Sequence, residues 1–159
     1  MTWTYLDSTK LTGTSDTITV SGFDAKAYLF VLLSIQGTGN VHADITYNND
    51  ATSNYAYRQS RNGAADGTGV NLSNIPIAVT SVQYQFCTLY IVNASDREKL
   101  QISMCSQTAG TTSSTAPDRT EVVGKWINTS DSITRIDSTN SEAGNDYNIG
   151  SEMIVFGSD

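Results

Sequence analysis

The 159-residue chain is poor in charge, with two prolines, two cysteines and a single histidine. Each shortage removes a class of function. Sixteen acids stand against nine bases, a net charge of −7. A nucleic-acid binder needs a basic footprint, and an anionic membrane surface also attracts basic segments. One histidine and two cysteines on separate segments do not supply a zinc set. The longest apolar run, AYLFVLL from Ala27 to Leu33, is far shorter than a membrane span. No glycine loop leads into a helix, so a nucleotide phosphate has no cradle. The opening MTWTYLDSTK lacks a basic segment followed by an apolar core, and no signal peptide is expected.

What is present is Ser, Thr and Asn in abundance, eight Tyr, four Phe and two Trp. Aromatic and β-branched residues at low charge favour a folded β protein over disorder. Short patterned runs alternate with turn clusters such as GTGN, NND, RNGAADGTG and EAGND. Strands are expected over residues 3–9, 17–21, 26–36, 41–48, 55–60, 70–75, 84–93, 98–106, 119–127, 132–137 and 147–156. No window reads as a long amphipathic helix. The expected fold is all-β: one domain over residues 1–159, a two-layer antiparallel β-sandwich, jelly-roll-like, with long polar loops.

The strand faces say more. Val41, Ala43, Ile45 and Tyr47 alternate with His42, Asp44, Thr46 and Asn48, which reads as a strand with one wet face. Residues 26–36 differ. Leu29, Val31, Leu33 and Ile35 form one apolar face, and Tyr28, Phe30 and Leu32 form a second. A strand apolar on both sides needs cover on both. The second cover is either another subunit, with Tyr28, Phe30 and Leu32 in a homotrimer interface, or a loop folded over the sheet. Residues 84–106 read as a hairpin. Pairing Asn93 with Glu98 puts Cys87, Leu89 and Ile91 on one face with Leu100, Ile102 and Met104. Cys105 then points the other way, and two free thiols are expected.

Chemistry is sparse. His42 and Asp44 share the polar side of one strand, but no nucleophile elbow accompanies them. Neither Asn48-Asn49-Asp50 nor DSTNSEAGND matches a calcium loop, and both compositions suit turns. The acids are too scattered to mark a glycosidase pair. No enzyme activity, metal or cofactor is expected. Tyr47, Tyr55, Tyr57 and Trp126 could form a sugar platform or pack in a core or interface.

The closing region from Trp126 to Gly157 has two β-like runs around a polar link. Trp126, Ile133, Ile136, Ile149, Ile154 and Phe156 are its expected apolar contacts. Its VGKW, ITRID, IGSE and IVFG segments, with YLDS near the start and YNND, NYAYR and NG in the middle, resemble small β-sandwich virion proteins of tailed bacteriophages. The resemblance spans most of the chain and rests on structural motifs. It implies a non-enzymatic capsid decoration, or cement, protein: a trimer made in the host cytoplasm that binds the major capsid protein on the head surface. The alternative is a tail or fibre module binding a host receptor or glycan through Tyr55 and Tyr57. No repeat or heptad shaft is present, which favours decoration. Residues 1–10 and the polar stretch 107–117 are the expected lattice contacts.

Overall fold

The computed structural model describes residues 2–108 and 112–159, with only the backbone described for residues 79–83. Ten strands run through the described residues: β1 Thr4–Lys10, β2 Thr17–Ser21, β3 Tyr28–Tyr47, β4 Tyr55–Arg61, β5 Gly67–Leu72, β6 Ile75–Val92, β7 Lys99–Thr108, β8 Asp118–Trp126, β9 Arg135–Thr139 and β10 Glu152–Ser158. The all-β expectation holds, and every named strand pair is antiparallel.

One continuous sheet follows the order β1-β10-β3-β6-β7-β8-β4-β5, while β9 pairs with both β3 and β2. Two long strands make this possible. The β3–β6 register shifts between Gln36 and Val41, and again around Ala43. Such bulges bend a strand and increase its twist. The first half of β3 therefore lies beside β10 in a long arm, and its second half lies beside β9 in a short arm. The GTGN segment, expected as a turn between two strands, is this bend. It is braced where the Thr38 N–H donates to the Asp146 carbonyl at 2.9 Å.

Specific contacts bring the arms face to face. The Tyr47 hydroxyl on the short arm bonds Gln101 on β7. Ile75 sits so close to β8 that a Cβ at Gly124 would lie 2.9 Å from its side chain. Thr9 of β1 donates to the Thr19 carbonyl of β2 at 2.6 Å. A β-sandwich is consistent with these contacts. Between the arms lie Ile18, Val20, Leu29, Val31, Leu33, Ile45, Leu89, Val122, Trp126, Ile136 and Val155, all buried. Trp126 is the largest; its indole N–H donates to Asp50 Oδ2 at 2.7 Å. Ile133 is buried as expected, but Ile149 is exposed in the loop before β10.

The β6–β7 hairpin corrects the free-thiol expectation. Val92 pairs with Leu100, one residue out of the register the apolar pattern suggested. Because side chains alternate, one step turns every β7 residue over. Cys87 now stands directly opposite Cys105, and the two form a buried disulfide. Polar Lys99, Gln101, Ser103 and Gln107 point inward with Cys105, while Leu100, Ile102 and Met104 point outward.

Candidate interaction face

The inverted strand β7 leads to a candidate interaction face. A buried polar group is costly unless it is hydrogen-bonded, and the inward residues of β7 are bonded. Lys99 Nζ donates to the Arg97 and Asn128 carbonyls at 3.0 and 2.8 Å and lies 5.8 Å from the Trp126 ring centre. Burial lowers the pKa of that amine. Gln101 meets Tyr47, and the Thr120 hydroxyl donates to Gln107 at 2.9 Å. The inward side of β7 is thus a satisfied polar stripe, and its apolar residues face out.

They join a continuous surface. Directly opposed residues of antiparallel strands share a face, and the registers trace one row across six strands: Tyr5, Phe156, Phe30, Tyr90, Ile102, Val123. A second row runs Ile154, Leu32, Thr88, Met104, and a third joins Tyr28, Val92 and Leu100. Phe86 and Tyr84 continue the same side of β6. Phe30 is the hub of the aromatic half. Its ring stacks on Tyr90 at 4.8 Å between centroids, with Trp3 and Phe156 at 5.8 and 6.1 Å. The other half is aliphatic, and Ile102 at its centre is 62% exposed.

Grooves confirm the relief of this face. One of about 430 Å³ is lined by Trp3, Tyr28, Tyr90, Val92, Leu100, Ile102 and Val123 among others. Two more adjoin it around Ile102, Met104 and Val123, and around Leu100, Val123 and Lys125. At roughly 200 Å² for a large residue when free, the fractional exposures leave on the order of 1,000 Å² of mostly apolar residue surface open on this face. The largest patch on a typical monomer is roughly 300–600 Å².

Tyr28, Phe30 and Leu32 all lie on this face, and among the described residues no loop is folded over it. The sequence pattern therefore located its first strand. It missed Tyr84, Phe86 and Tyr90, although they alternate outward along β6 as Tyr28, Phe30 and Leu32 do along β3. It also put Leu100, Ile102 and Met104 on one face with Cys87, Leu89 and Ile91, whereas they lie on the opposite side of the sheet.

The other expected sites are placed differently. Tyr55 is 1% exposed, stacked on Trp126, and its hydroxyl donates to the Asp50 carbonyl at 2.9 Å. Tyr47 and Trp126 are buried with it. Tyr57 is half-buried, its ring packed against Gly69. These aromatics are core packing, and Tyr55 offers no face to a sugar. The reason is register: Tyr55 pairs with Trp126 and Tyr57 with Gly124 on the inward side of β8.

On the short arm, His42 Nε2 lies 3.2 Å from Glu142 Oε1. Burial raises the pKa of Asp44, against the opposing effects of a Ser141 hydrogen bond and the nearby His42; Asn74 also donates to Asp44 at 3.2 Å. Asp44 lines a polar groove of about 390 Å³ with Thr46, Arg135 and Asp137. Those groups largely satisfy one another: Thr19 donates to Asp137 at 2.6 Å, and Arg135 reaches it at 2.8 Å. Among the described residues no group of three or more His, Cys, Asp or Glu is placed to hold a metal.

No protein-family model, curated protein or solved structure matches this chain.

Proposed function

We propose that the chain is a non-enzymatic structural protein whose work is done by protein–protein contact through the outward face of the long arm. The observation that carries this reading is the continuous apolar surface running from Tyr5 to Val123 across six strands, one of which, β7, turns its polar residues inward and its apolar ones out. A sequence that spends its apolar side chains on the solvent side is adapted to a state in which that side is covered. The specific form we propose is the one the sequence resemblance implies: a capsid decoration protein of a tailed phage, binding the major capsid protein on the assembled head. Many equivalent weak contacts stabilise a lattice by mass action. Polar edge segments such as Met1–Lys10 suit that task, as does the 107–117 stretch, of which residues 109–111, like Met1, lie outside the described residues.

The test is to remove the protein from heads and heat the particles. Heads that release DNA at a lower temperature, and recover when the protein is added back, support the role. Heads of unchanged stability, with no added protein retained on them, refute it.

A further inference from the structure

We infer that the occupant of the outward long-arm face is a second copy of this chain, an inference that rests on the role proposed above. Three observations favour a copy of itself over an unrelated partner. The first is area. On the order of 1,000 Å² of open, mostly apolar residue surface per copy is enough to supply the roughly 800 Å² per partner of a standard stable interface.

The second is charge. At −7, two copies repel one another in general. Several of the charged residues bordering this face stand in opposite-sign pairs. Arg58 pairs with Asp66 at 3.1 Å, Arg119 with Glu121 at 3.5 Å and Lys125 with Glu98 at 2.9 Å. Lys10 stands opposite Glu152 in the β1–β10 register. At these positions four bases stand against four acids, so two such faces can approach without the repulsion that the whole-chain charge would give.

The third is shape. One half of the face is aromatic, centred on Phe30 and Tyr90. The other is aliphatic, centred on Ile102, with a groove between them. In a two-fold pair with its axis along the strands, or in the three-fold ring expected from the sequence, the aromatic half of one copy meets the aliphatic half of the next. Rings then enter the groove, and no polar group of the sheet interior has to be uncovered.

The experiment is molar mass by light scattering and sedimentation velocity on the purified chain, with variants at exposed positions that the monomer tolerates. The wild type is expected at a multiple of 17.1 kDa. Ile102→Asp places an unpaired carboxylate in the contact and should raise the dissociation constant at least about 100-fold, with unchanged circular dichroism. Ile149→Asp, at an equally exposed apolar residue outside the face, should keep the wild-type mass. A wild type that stays at 17.1 kDa overturns the inference. So does retention of the wild-type mass by both Ile102→Asp and Tyr90→Asp. A monomer that still protects heads removes the self-association and leaves the proposed role standing. An oligomer that never binds heads does the reverse.

Discussion

Strand β3 supplies both outer surfaces of the molecule, and the two have opposite chemistry. In its first half the outward residues are Tyr28, Phe30 and Leu32; in its second half they are His42, Asp44 and Thr46. The short-arm surface is finished. Thr19, Asp137 and Thr46 stand in one cross-strand row, Thr17, Thr139 and Asp44 in the next, and side chains bond along them. The long-arm surface is unfinished: its rings stack on one another and many of its apolar side chains stay exposed. Composition does not separate the two, since Ser, Thr and Asn are plentiful throughout. A chain with so much polar material could have covered the long arm, yet it places Gln101, Ser103 and Gln107 inside and Leu100, Ile102 and Met104 outside. The difference is what supports the proposal that the long arm is the working surface.

The comparison breaks first at its base, the core that both arms share. Trp126→Ala should cost about 3–5 kcal/mol in chemical denaturation, because it empties the largest buried site and removes one of the hydrogen bonds that the Asp50 carboxylate accepts. Replacing Cys87 and Cys105 with Ser should cost about 3 kcal/mol, the entropy of a loop of that length, given a sequence separation of 18. Reduction with dithiothreitol should lower the melting temperature in the same way.

A smaller effect comes from acid. Burial pushes the Asp50 carboxyl up, but hydrogen bonds from Asn54, Thr52 and Trp126 outweigh it and bring its pKa to about 2. The unfolded value is about 3.9, so the folded state binds this proton more weakly. The resulting stability is fully present above the unfolded pKa and is lost as pH falls toward 2. Urea midpoints measured from pH 5 down to pH 2 should fall less steeply in Asp50→Asn than in the wild type.

The smallest effect is the most discriminating. Leu100→Thr and Val123→Thr should change the stability of the dissociated chain by no more than about 0.5 kcal/mol, yet weaken assembly. Thr46→Val on the short arm should leave assembly unchanged.

Much of this was legible in the sequence. The half-wet pattern of 41–48 and the doubly apolar pattern of 26–36 both describe β3 correctly, because alternation along a strand is a local property. Strand β2 was located to the residue. Register was not legible. The apolar pattern favoured putting Leu89 and Leu100 on the same face, and only the arms' packing decides otherwise, through Tyr47 reaching Gln101 and Lys99 capping the Trp126 ring. The disulfide was lost with the same one-residue step. Tyr55 reads as a possible platform because a tyrosine in a polar-rich run looks the same whether its hydroxyl meets water or the Asp50 carbonyl. The bend at GTGN reads as a turn in the sequence because a strand continuing through a bulge depends on an equally long partner, β6, that lies far off in sequence.

The claim that the long-arm face is covered in the working state is tested most directly by methionine oxidation with peroxide. Met104 lies on that face at 52% exposure, while Met153 is in the core at 0%. In concentrated wild-type protein both should resist, and on dilution, or in Ile102→Asp, Met104 alone should become reactive. A Met104 that oxidises at the rate of a free methionine at every concentration, and in protein bound to heads, would contradict the account.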